Sequence, residues 1–116
     1  MSLTLEDLQA RVREILGALA HPRVGAGLAL SEECGELNKL ILEREVYGQP
    51  VAEDALAGEL CDVLVCAAEI ANLYGIDLER ALQAKLGDLS ERAPKWASSL
   101  AEPLAAARAR MDGQDS

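Results

Sequence analysis

Phenylalanine is missing from the 116 residues, and all aromatics together make up 3% of them. With half the chain apolar, the core must therefore be built from Leu, Ala, Val and Ile, a composition that favours helix packed on helix. Basic residues are scarce: 11 Lys and Arg stand against 20 Asp and Glu, for a net charge of -9. That balance argues against a nucleic-acid or anionic-membrane partner, because phosphate backbones are bound by concentrated positive charge. Long apolar runs are lacking too. The stretch from Val63 to Ala68 falls far short of the roughly 20 residues a membrane helix needs. The three cysteines, Cys34, Cys61 and Cys66, are an odd number without regular spacing, which excludes a disulfide framework and suits a reducing cytoplasm. All three are expected to behave as small buried hydrophobes rather than soft metal ligands. The first seven residues carry neither a basic segment nor an apolar run, so no signal peptide is expected.

Apolar residues recur at helical spacing along most of the chain. Thr4 followed by Asp7 opens a first helix, whose stripe is Leu5, Leu8, Val12, Ile15, Leu16 and Leu19. Pro22 starts a second, running to about Val46 with Leu30, Cys34, Leu37, Leu40 and Ile41 buried; Gly25 and Gly27 suggest a close backbone approach. After the break Tyr47-Gly48-Gln49-Pro50, a third helix spans about Glu53 to Tyr74, apolar almost all round from Leu60, with Gly75 as its stop. Asp77 then caps a fourth helix that ends near Pro94, and a hinge at Ser98-Ser99 precedes a short extra helix from about Pro103 to Met111. The expected organisation is one domain over residues 1–111 and a disordered tail over 112–116. No repeat, low-complexity tract or strand-like alternation is present.

The chain does have acid where a core would be expected. Glu33 with Glu36, and Glu59 with Asp62, are each three apart within apolar helical patterns, so each pair projects from nearly one face as a fork of hard oxygen ligands. If the two helices face each other, four carboxylates converge. Left unneutralised, the cluster would cost on the order of several kcal/mol to desolvate. One or two divalent cations remove the objection. A lone acidic pair on a helix is ordinarily a solvated face, but the neighbours Leu37, Leu40, Leu60, Val63 and Leu64 leave little room for that. A phosphate-bearing small molecule would then be approached through metal ions, helped by placed cations such as Arg23, Lys85 and Arg92.

The words EExxE at residues 32–36 and ExxD at residues 59–62 occur in that order, with His21-Pro22-Arg23 ahead of them. Behind them come Gly75-Ile76-Asp77-Leu78-Glu79-Arg80-Ala81-Leu82, then Lys85, Arg92 and Pro94. This pattern, over about His21 to Trp96, resembles the all-α nucleoside triphosphate pyrophosphohydrolases of the MazG-like superfamily. The resemblance implies an all-α fold with a four-helix-bundle core, packed tightly in a homodimer or homotetramer. It implies Glu33, Glu36, Glu59 and Asp62 as Mg²⁺ ligands, with Mn²⁺ as a substitute. The reaction implied is hydrolysis of a nucleoside triphosphate to monophosphate and pyrophosphate, by metal-activated water attacking the α-phosphorus. Its use would be clearing non-canonical nucleotides or balancing a deoxynucleotide pool.

Glu32 lies about 100° round the helix from Glu33; it either orients water or a second ion, as the family's leading Glu does, or is a solvated surface residue. His21 either caps its helix or lies near the substrate. Lys85 and Arg92 are expected to contact phosphate oxygens. Trp96 is expected to be a packing anchor for the last segment. Three positions depart from the family pattern: Cys66 replaces a Tyr, Leu89 an Asn, and Gly17 the Trp of members that hold a pyrimidine base. The competing readings are a phosphoribosyl-ATP pyrophosphohydrolase and a catalytically weakened helical oligomer that keeps metal only for assembly.

Overall fold

The computed structural model describes residues 2–113. Four α-helices follow one another: α1 (Leu5–Leu16), α2 (Arg23–Glu45), α3 (Glu53–Leu73) and α4 (Leu78–Asp112), with a single 3-10 turn, Gly17–Leu19, after α1. No strand occurs among the described residues, and none of their helices is long and apolar enough to cross a membrane. The chain is all-α, as expected. It divides into two compact units between Glu79 and Arg80, the first holding α1, α2, α3 and the opening of α4.

Local chemistry accounts for most of the boundaries. Thr4 and Asp7 form a reciprocal capping box: the Asp7 N–H donates to Thr4 Oγ1 at 3.0 Å and the Thr4 N–H to Asp7 Oδ2 at 3.1 Å. The Thr4 backbone N–H first, and the Thr4 hydroxyl second, hold the Asp7 carboxyl below its ordinary range. Gly17 stops α1 with φ +40, so the helix ends at Leu16, three residues before Leu19, the last of the expected stripe. Pro22, extended at φ -63 and ψ 158, is the N-cap of α2. At the far end of α3, Gly75 takes φ +64, and the Ile76 N–H returns to the Ala71 carbonyl at 2.8 Å, closing a left-handed stop.

Within the first unit α3 is the central helix, with α1 and α2 both packed on it. The buried apolar core is small: Val12 from α1, Ala26 from α2, Ala68 and Ala71 from α3. Small residues on α3 allow close packing, so the inward side of α1 is set by Leu5, Leu8, Gln9, Val12 and Leu16, while Ile15 and Leu19 are exposed. On α2 the stripe from Leu30 to Leu40 is half-buried, and Ile41 is exposed. The expectation that α3 is enclosed all round is not met within one protomer, because Leu60, Leu64 and Val65 are exposed. Gly25 and Gly27 mark no approach of a second backbone: a methyl at Gly25 would meet its own turn at Pro22, 3.4 Å away, and one at Gly27 would meet nothing within 4 Å.

The second unit is the remainder of α4. The expected end near Pro94, hinge at Ser98-Ser99 and separate last helix are replaced by one helix that runs through Pro94 and Pro103. Each proline removes one backbone donor, but the two serines stay helical by turning their hydroxyls back along the chain. Ser98 Oγ donates to the Lys95 carbonyl at 2.8 Å and Ser99 Oγ to the Trp96 carbonyl at 3.4 Å. Trp96 is 45% exposed, so it does not serve as a buried anchor within the protomer. Leu82, Leu86, Leu89, Trp96, Leu100 and Leu104 are exposed at spacings of about one and two turns. The expected tail lies outside the described residues from 114 onward, while Asp112 still closes the helix.

Candidate active site

The acidic words of α2 and α3 meet. Glu33, Glu59 and Asp62 bring one carboxylate oxygen each within 4.8 Å of one another. Glu33 and Glu59 are half-buried and Asp62 is exposed. The pairing of α2 with α3 supplies the approach, and the three-residue spacing of Glu59 and Asp62 puts both on the same side of α3. Two of the acids in the first word stand apart from this trio: Glu32 and Glu36 are exposed and outside the group.

The electrostatics of the trio are those of like charges forced together. The Glu33 carboxyl is pushed above its ordinary range, first by desolvation, then by a hydrogen bond with the Glu59 carboxyl, then by the charges of Asp62, Glu59 and Glu32. That bond exists only while a proton sits between the two groups. Among the described residues nothing replaces it, since Glu59 Oε2 is sealed from solvent and no group donates to it. An oxygen so placed is costly for the fold. A divalent cation fits the donor set, being the one partner that satisfies several carboxylates at once.

A pocket of about 240 Å³ opens beside the trio, lined by Glu33, Asp62, Val65, Cys66 and Glu69 together with Leu16 and His21. His21 was one of two roles left open by the sequence; the structure sets it on this pocket, and its side chain is half exposed. Burial, followed by the charges of Glu33, Glu69 and Asp62 and the thiol of Cys34, pushes the Cys66 thiol up. It therefore stays a protonated thiol and lines the pocket as a small apolar group, in keeping with expectation. Cys34 is likewise half-buried, but Cys61 is exposed, against the expectation that all three cysteines are buried.

Arg23 lies over the Tyr74 ring at 5.1 Å from its centroid, with Nη2 3.5 Å from the Leu73 carbonyl, so it is held at the end of α3. Lys85 and Arg92 belong to the second unit and are exposed there; Arg92 pairs with Asp88 at 3.2 Å, one turn before it. Two buried polar residues had no counterpart in the sequence reading. Glu69, 4% exposed, accepts from the His21 backbone N–H at 3.2 Å and pairs with His21 Nδ1 at 2.8 Å. Gln9, 7% exposed, donates through Nε2 to Asn72 Oδ1 and the Ile76 carbonyl and accepts at Oε1 from the Leu78 N–H. Both sit at positions of the apolar period, so the only signal for them was a polar residue interrupting a stripe.

An all-α unit that sets a partly buried carboxylate trio beside a pocket has the donor chemistry that a divalent cation fits. The chain belongs to the MazG nucleotide pyrophosphohydrolase family, whose domain it matches over residues 26–97, and it is an enzyme of that kind. It is similar to a dATP/dGTP diphosphohydrolase of cyanophage S-2L, with 37% identity over 103 residues, 84% of this chain and 82% of the relative. No solved structure matches it.

Proposed function

We propose that the protein is a Mg²⁺-dependent pyrophosphohydrolase that cleaves a nucleoside or deoxynucleoside triphosphate to the monophosphate and pyrophosphate. The observation that carries the reading is Glu59 Oε2, a buried carboxylate oxygen without a donor, set among Glu33 and Asp62. Glu33, Glu59 and Asp62 would hold the cation, and Glu36, one turn along α2 from Glu33, completes the set. When bound, Mg²⁺ supplies charge neutralisation for the triphosphate and lowers the cost of forming the nucleophile. Around it, Val65, Cys66 and Leu16 exclude water from one side of the pocket. His21 faces the same space and contacts the nucleotide, while Arg23 stands at the edge of the unit as a further cation for it. Glu32, whose charge reaches Glu33, takes a proton from the attacking water or steadies a second ion.

The relative's name supports deoxypurine triphosphates as the first substrates to test. Assembly as a homodimer or homotetramer would cover the exposed apolar residues of α3, Leu60, Leu64 and Val65. Incubation with Mg²⁺ and a panel of canonical and modified triphosphates, with pyrophosphate resolved from orthophosphate, tests the reading. Pyrophosphate and a monophosphate are the expected products, with dATP and dGTP among the best substrates. Orthophosphate release would overturn attack at the α-phosphorus, and turnover confined to phosphoribosyl-ATP would reassign the substrate.

A further inference from the structure

We propose that Glu69 is a positioning residue for this enzyme: from within α3 it fixes the orientation and tautomer of His21, and so sets which ring nitrogen meets the nucleotide. The proposal rests on the reading of His21 as a substrate contact. Glu69 lies seven residues, two turns, beyond Asp62, and both line the acidic pocket. Glu69 is buried on the same stretch of α3 as the core residues Ala68 and Ala71. Burying a carboxylate there is costly unless its oxygens are bonded. Both are, and both to His21: Oε2 accepts from the backbone N–H and Oε1 meets Nδ1.

The two bonds do different things. The backbone bond ties the segment between the 3-10 turn and α2 onto α3, which fixes where residue 21 begins. The ring bond selects chemistry. A carboxylate can only accept, so Nδ1 carries the proton, and in the neutral ring Nε2 is left as an acceptor. His21 is half exposed at the pocket while its Glu69 partner is 5% exposed, so the ring is anchored on its inner side and presented on its outer one. An anchor needed only for folding would not have to specify the tautomer. The geometry points to Nε2 as the acceptor for a proton-bearing group of the nucleotide, a hydroxyl or an amine.

His21 is the single histidine of the chain, so long-range ¹H–¹⁵N spectra of its imidazole read the tautomer without ambiguity. In the wild-type protein, at a pH where the ring is neutral, the Nδ1-protonated pattern is expected. Glu69→Gln offers one acceptor and one donor in place of two acceptors. With its oxygen on the backbone N–H, its amide donates to Nδ1 and shifts the proton to Nε2. The expected kinetic result is a rise in KM of about ten-fold, the scale on which supporting partners of a site act, with kcat little changed. In a His21→Ala background the Glu69→Gln change should add nothing further to KM. An Nε2-protonated ring in the wild type, or an equal KM effect of Glu69→Gln with and without His21, would overturn the proposal. A His21→Ala protein with unaltered KM but an Nδ1-protonated wild-type ring would instead take down the substrate-contact reading beneath it. The wild-type spectrum and the His21→Ala kinetics stand even if Glu69→Gln does not fold.

Discussion

Two polar clusters lie on α3, and they differ in whether they complete themselves. At one end Gln9 uses both its donors and its oxygen: Nε2 gives protons to Asn72 Oδ1 at 3.1 Å and the Ile76 carbonyl at 2.8 Å, and Oε1 takes the Leu78 N–H at 2.9 Å. Asn72 answers through Nδ2 to the Gln9 carbonyl at 3.0 Å, and Arg13 reaches Asn72 Oδ1 at 2.9 Å. Donors and acceptors match, and the loop into α4 is stapled to α1. At the other cluster Glu33, Glu59 and Asp62 offer acceptors to one another, and Glu59 Oε2 has no donor. The first cluster is finished by the chain. The second is left open among the described residues, with a buried oxygen that no donor reaches, and that difference, more than acidity, is what the proposed metal site rests on.

Replacing a carboxylate of the open cluster by an amide should break this contrast most strongly. Glu59→Gln supplies an N–H donor inside the trio, so the variant should bind Mg²⁺ poorly and lose at least about 100-fold in turnover, more than supporting residues of metal sites usually cost. Its metal-free form should unfold at the same temperature as wild type or higher. Calorimetric Mg²⁺ titration and thermal melts check the two halves, and full turnover would remove Glu59 from the site. Gln9→Ala should do the reverse. It leaves the Ile76 carbonyl and the Leu78 N–H without the side chain that bonds them and takes one of two donors from Asn72 Oδ1, which should cost about 2–3 kcal/mol in denaturant unfolding, and the folded fraction should still bind Mg²⁺.

A smaller effect sharpens the comparison by pH. Glu33 is raised in the folded state, so its contribution to stability is full below the ordinary glutamate range and is lost as pH rises through its raised folded value. Melting temperatures of the metal-free protein should therefore rise as pH falls from neutral into that range. Added Mg²⁺ should flatten the slope, because cation and proton compete for the same oxygens. The slope should also be lost in Glu33→Gln. A profile unchanged by either would mean the trio is not electrostatically coupled.

Much of the fold was legible because its signals are local. Thr4 and Asp7 three apart, the glycine after Tyr74 and the break at Tyr47-Gly48-Gln49-Pro50 act within one or two helical turns, and they appear where the pattern put them. The same locality explains the misreading of α4. Pro94, Ser98-Ser99 and Pro103 each weaken a helix when weighed alone, yet the backbone continues through all of them. The site was half legible. Spacing placed Glu59 and Asp62 on one side of α3, but the same rule made Glu36 a partner of Glu33, and the trio forms without it. Glu69 and Gln9 escaped notice because a single polar residue in an apolar stripe has no pattern until its partners, 48 and 63 residues away, are known.

The order of residues alone settled that this is an all-helical chain with acidic pairs in two of its helices, since period, capping and breaks are properties of neighbours along the backbone. It also settled the family, through two short acidic words and what flanks them. Which carboxylates meet, which oxygen is left without a donor and which buried glutamate holds the histidine were decided only when α2 and α1 packed on α3. Those depend on distances between segments far apart in the chain, and desolvation, unlike periodicity, has no value until the surrounding atoms are in place.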